Sequence, residues 1–220
     1  MLAALLLASA LLGASPPPPG RLVEAVLATV QATPVRAVRP ITLTRLREEA
    51  RVALVARGAT EAAFGPIDGA ALAATLEWLI DQTLVAEEAD RLLVGEVGRE
   101  EVDRELARFR SRFASPGEFA RFLALNDLAE DELAVTLARN LRVQRFVEGR
   151  VGQSVKVAEV EIDEYLRGRG VDGGPAAARD AVRAHLTEQR LSGEVKRMIG
   201  ELRGRATIRI LIPPEEAARE

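Results

Sequence analysis

The sequence predicts a mainly α-helical protein with one small β-sheet, an α+β arrangement in which the two ends of the chain meet. Three observations carry this. Aromatic residues are only 4% of the 220 residues while apolar residues are 48%. The core must therefore come from Leu, Val and Ala, a palette in which leucine and alanine favour helix. Apolar residues recur at helical spacing in one segment after another through the middle of the chain. The β-branched, extended-looking runs are Leu22–Val30 and Val35–Ile41 near the start and Ala206–Ile212 near the end. Small sheets need packing to be stable, which favours all three runs in one sheet against the helices.

In chain order, Met1–Ala14 is an apolar run ending in small residues. It is shorter than the about 20 residues needed to cross a bilayer and has the size of a signal-peptide core. No Lys or Arg precedes it, so the terminal amine is its only positive charge. A buried N-terminal helix is the competing reading, but Pro16–Pro19 would halt such a helix at once. Residues 1–15 are therefore expected to be a signal peptide and 16–21 a stiff proline-rich linker.

The first extended run, Leu22–Val30, is followed by a turn at Ala32-Thr33-Pro34. The second, Val35–Ile41, contains Pro40, which suits an edge or a strand end. Thr42 or Thr44 caps a helix that runs to Arg57 and stops at Gly58. Ala59–Gly69 reads as a loop. Ala70–Val94 is apolar on two sides, with Leu72, Leu76, Leu79 and Thr83 on one and Trp78, Val85 and Leu92 on the other. A helix this apolar should lie between neighbours at the centre of the core. Trp78 is a candidate binding aromatic, and packing in the core is its competing reading.

Gly95–Gly98 breaks the pattern, and Arg99–Phe113 resumes it with Val102, Leu106, Phe109 and Phe113 on one face. Ser115-Pro116-Gly117-Glu118 is a capping-box pattern that opens a short helix carrying Phe119, Phe122 and Leu123. A long helix over about Ala129–Arg150 places Leu133, Leu137, Leu141, Val147 and Val151 on one face. Val135 and Phe146 fall on roughly the opposite face, among Arg139 and Arg142. Val155–Val157 is extended, and Glu159–Leu166 is a short helix with an acidic start. Gly168–Pro175 is the clearest flexible break. The last helix, Ala176–Arg203, changes its apolar side near Ser192-Gly193, so its halves should meet different neighbours. A strand and then Pro213-Pro214 and an acidic tail (213–220) close the chain.

Several chemistries have no residues to support them. Cysteine is absent, so disulfides, thiol catalysis and cysteine metal sites are excluded. One histidine, His185, makes a histidine metal site improbable; beside the apolar face of its helix it reads as partly buried and structural. A net charge of −3 is too small to argue for a nucleic-acid or acidic partner, and no nucleic-acid partner is expected. No phosphate loop, nucleophile elbow, His-Glu-x-x-His pair or calcium loop occurs. The carboxylate clusters (Glu100-Glu101; Glu130-Asp131-Glu132; Glu159, Glu161, Asp163, Glu164) stand at helix starts, where the helix dipole favours negative charge.

The order of these elements resembles the SurA-type periplasmic chaperone family and, more distantly, the chaperone domain of trigger factor. The paired extended segments of Leu22–Ile41 lead into a helix. Trp78–Ala89 is similar to the family's L-I-x-x-x-L-x-x-x-x-A helix, followed by Gly95-x-x-Gly98 and Glu100-Glu101-Val102-Asp103. Phe119–Gly149 is similar to its short helix, loop and long arginine-rich helix. Val155–Leu166 resembles V-x-V-x-x-x-E-I-x-x-Y, where such chains enter a parvulin-type isomerase domain. This chain departs there: it has only a glycine-rich break (169–175) before residues 176–212 complete the core begun by residues 22–168. With one histidine, the paired histidines of a parvulin site are also missing.

The resemblance implies a non-enzymatic holdase that works without ATP or cofactor in a Gram-negative-type periplasm. It would shield unfolded or nascent outer-membrane or secreted polypeptides in an apolar cradle, as monomer or dimer, without stable membrane insertion after cleavage. Val135, Phe146 and Trp78 are the candidate client contacts; burial of Val135 and Phe146 against the Trp78 helix is the competing reading. A non-catalytic adaptor beside a separate peptidyl-prolyl isomerase or secretion complex is the alternative function.

Overall fold

The computed structural model describes residues 24–152, 155–171 and 175–217. The expected signal peptide and proline linker lie outside the described residues, as do Asp172–Gly174 of the glycine-rich break and the last three residues of the tail. The described residues are 68% helical, with one three-stranded antiparallel sheet among them.

β1 (Val26–Gln31) is the central strand, flanked by β2 (Arg39–Thr42) and β3 (Thr207–Ile210). Thr29 stands opposite Pro40 on one side and Arg209 on the other, so the two ends of the chain do close one sheet. β2 is an edge, which is where a strand tolerates proline. The β1–β2 register shifts between Val26 and Ala28. Such an irregularity breaks the alternation of sides, and the consecutive residues Leu27 and Ala28 are both fully buried.

Thr42 ends β2 and caps α1 (Leu43–Ala56), its hydroxyl accepting from the Arg45 N–H. Gly58 follows with φ +81°, a left-handed conformation that favours glycine. The expected loop contains a 3-10 turn, Glu61–Phe64, too short to leave a periodic signal. It inserts Ala63 and Phe64 among the phenylalanines. α2 (Gly69–Arg91) starts at an Asp68 cap and is the axle of the body, touching α1, α5, the sheet and both C-terminal helices. Leu72, Leu76, Leu79, Ile80 and Leu84 are each about 1% exposed. Full burial of such a side chain stabilises by about 2 kcal/mol. Thr83 is buried too, and its hydroxyl donates to the Leu79 carbonyl at 2.7 Å. Leu92, expected on the second apolar face, lies past the helix end and is exposed.

α3 (Arg99–Arg110) and α4 (Pro116–Leu125) follow. Ser115 accepts from the Glu118 N–H, while the Glu118 carboxylate reaches one residue further back, to the Ala114 N–H. α5 (Glu130–Val151) links two cores. Its first half places Leu133 and Leu137 in a cluster with Phe109, Phe113, Phe119 and Phe122. Its second half places Val143, Phe146 and Val151 against α2 and the sheet.

α6 (Glu159–Arg167) and the start of α7 (Ala176–Arg205) form an arm around Ile162, Leu166 and Val182. The far half of α7 returns Met198 and Leu202 to the main core. The change of apolar side near Ser192-Gly193 thus marks where α7 passes from arm to body. His185 is exposed, its ring centroid 5.6 Å from that of Tyr165, which corrects the expectation of partial burial. The acidic tail is corrected as well. Residues Pro214–Ala217 form a short helix, α8, packed on α2 with Pro214 and Ala217 buried and the two glutamates outward. The approach is close enough that a Cβ on Gly69 would stand 3.2 Å from Glu215 Cα.

Candidate functional site

The body opens in a groove of about 550 Å³ between α1, the first half of α2 and α5. Its walls are unusually plain. Ala53 and Ala56 line it from α1, Ala71 and Ala74 from α2, and these small side chains leave the helix backbones close to the opening. Larger apolar groups complete it: Leu54, Ile67, Trp78, Leu137 and Leu141. Trp78 therefore belongs to both of its sequence readings, half-buried against the main core on one side and lining the groove on the other.

One charged group lies in the floor. Glu49 falls three residues after Leu46, on the apolar side of α1, and its side chain is 3% exposed. Arg139 of α5 donates to Glu49 Oε1, while Oε2 has no hydrogen-bond partner among the described residues. Burial pushes the Glu49 carboxyl above its ordinary value; Arg139 and then Arg45 act in the opposite direction. Arg45 is itself held below its usual range, chiefly by burial and next by the nearby Arg139. Arg57 and Glu105 add one charge of each sign to the lining, so the local charge stays close to balanced; Thr75, Asn140 and Gln144 are its neutral polar groups, and the rest of the wall is apolar.

The three candidate contacts separate. Trp78 lines the groove. Phe146 is 6% exposed within the main core, packed with residues of α2, so its candidacy as a client contact gives way to the competing reading of burial. The reason is that α5 changes neighbours along its length, and the side opposite Leu133 near its start becomes the buried side near its end. Val135 is 67% exposed and lies outside this groove, in a shallower depression between α3 and α5. Sequence reasoning missed Glu49, Leu141 and the alanine walls. Glu49 had a readable signal, a carboxylate at a core position of an amphipathic helix; the alanines had none.

Among the described residues no three carboxylate or imidazole groups converge closely enough to hold a metal ion, and no helix is long and apolar enough to cross a membrane. The class that fold and site define is a helical body, closed by a small sheet, with a largely apolar groove between α1, α2 and α5. No protein-family model matches the chain, and no curated protein matches it.

Proposed function

We propose that the protein is an ATP-independent holdase that binds unfolded segments of exported polypeptides in the groove beside Trp78. The single observation that carries this reading is the groove itself: about 550 Å³, walled by alanines and floored by leucines and a tryptophan. Apolar surface open to solvent on this scale marks a place where other apolar surface is buried. Small wall residues admit a guest main chain rather than one shaped ligand. The resemblance to SurA-type chaperones supports the same reading, and with it we propose a periplasmic protein exported by a signal peptide over residues 1–15. Without the residues of a parvulin site, holding rather than isomerisation is the activity proposed.

The test is light scattering of an unfolded outer-membrane barrel protein diluted from urea. Suppression of aggregation near one-to-one ratios, weakened by Ala74→Glu in the groove wall, is the expected result; no suppression at tenfold excess refutes it. The adaptor reading is favoured by a different observation. β3 is an edge strand, and Ile210 and Leu211 at its end are 53% and 56% exposed, a place where a partner could add a strand.

A further inference from the structure

We propose that the depression between α3 and α5 is a second guest-binding strip, selective for apolar segments flanked by arginine or lysine. This rests on the holdase reading and names the guest it would prefer. The depression holds about 530 Å³. Its floor is apolar, with Val102 and Leu106 from α3 and Ala134, Val135 and Ala138 from α5. Val135 is 67% exposed there, so the floor is uncovered.

The rim decides the sign of the guest. Its charged residues are Arg99 against three carboxylates, Asp103, Glu130 and Asp131. Arg110 pairs with Glu130. Arg99, with its side chain 95% exposed, comes only within 3.9 Å of Asp103. Asp131 forms no ion pair among the described residues; its Oδ1 accepts from the Glu132 N–H. The start of α5 supplies two of these carboxylates, and the helix dipole accounts for their being there. It does not account for Asp103, which comes from the middle of α3 and meets them across an apolar floor. A greasy floor with an anionic rim complements an apolar stretch that carries cations at its ends. The Trp78 groove, with its balanced charge, has no such preference, so the two surfaces would sort guests differently.

Fluorescence anisotropy of three labelled peptides tests this on the full chain. One has an apolar Leu-Val-Leu-Ala-Leu centre with two arginines at each end, one has the same centre with glutamates, and one has the arginines around a Gly-Ser centre. At low salt the basic apolar peptide should bind about fivefold more tightly than the acidic one, as two exposed ion pairs would provide. The paired change Asp103→Asn and Asp131→Asn should abolish that difference, and Val135→Ser should weaken the basic peptide about threefold. Unchanged thermal unfolding shows that these surface variants are folded. Equal binding of the two apolar peptides, or a silent Val135→Ser, overturns the strip while leaving the holdase reading intact if aggregation is still suppressed. Equally tight binding of the Gly-Ser peptide also overturns it, since charge alone would then suffice. Failure to bind any peptide or client removes both proposals.

Discussion

Replacing Arg139 with leucine isolates the energetics of the buried pair in the groove floor. The guanidinium is 34% exposed but its partner Glu49 is 3% exposed, so the variant leaves a carboxylate in the interior with no cation bonded to it. Breaking a buried pair from one side usually costs about 3–5 kcal/mol. Here protonation sets a ceiling. A carboxyl with an ordinary value of 4.5 is neutralised at pH 7 for about 3.4 kcal/mol, at about 1.36 kcal/mol per pH unit. The folded variant therefore loses up to about 3.4 kcal/mol at pH 7 and only about 0.7 kcal/mol at pH 5. The sign follows from burial. Because the folded value lies above the unfolded one, the native state binds the proton more tightly. Stability is then fullest below 4.5 and falls as pH rises through the folded value. Removing Arg139 removes the largest opposing influence and steepens that fall. Adding Glu49→Gln should return the double variant to within about 1 kcal/mol of the parent at both pH values. Urea unfolding at pH 5 and pH 7, followed by circular dichroism, measures all of this. A cost equal at the two pH values, or a double variant less stable than Arg139→Leu alone, would refute the argument.

Other outcomes follow from the same structure. Phe122→Ala should destabilise by about 3–5 kcal/mol in denaturant unfolding, because the ring is fully buried and within 6.4 Å of three other phenylalanine centroids. Glu88 is held at about 2, first by hydrogen bonding from Arg91 and also by Arg205. Its contribution is present above 4.5 and fades as pH falls through about 2, so Glu88→Gln should flatten the acid limb of a stability–pH curve. Gly58→Ala forces a Cβ into φ +81° and should lower stability by about 1 kcal/mol, measured as a shift in the urea midpoint. Amide exchange should be faster in α6 than in α2. The arm has three buried apolar residues and exposed pairs such as Arg183–Glu159, and raised salt should widen the gap.

Much of the architecture was legible because it is encoded locally. Thr42 and Ser115 announce helix starts through their hydroxyls, Gly58 announces a stop, and the β-branched runs at the two ends have few uses other than a shared sheet. α2 could be placed at the centre from its two apolar sides alone. The candidate contacts were legible only in part. Trp78 does line the groove, but Val135 and Phe146, which share a side of an ideal helix, are divided between surface and core. The acidic composition of the tail hid α8, because Pro214 and Ala217 become a buried face only when α2 presents Gly69 beneath them.

By itself, then, the sequence determined the helical class, the order of the main elements, the closing of one sheet by strands from near both ends, and the lack of cysteine. These depend on side-chain type, spacing and backbone preference within a few residues. Tertiary structure alone decided where the grooves lie and which residues line them. A concavity is bounded by helices distant in the chain, and Ala53, Ala71 and Leu141 carry no mark of it until packing brings them together. It also decided the state of Glu49, whose burial depends on how α5 lays Arg139 across α1.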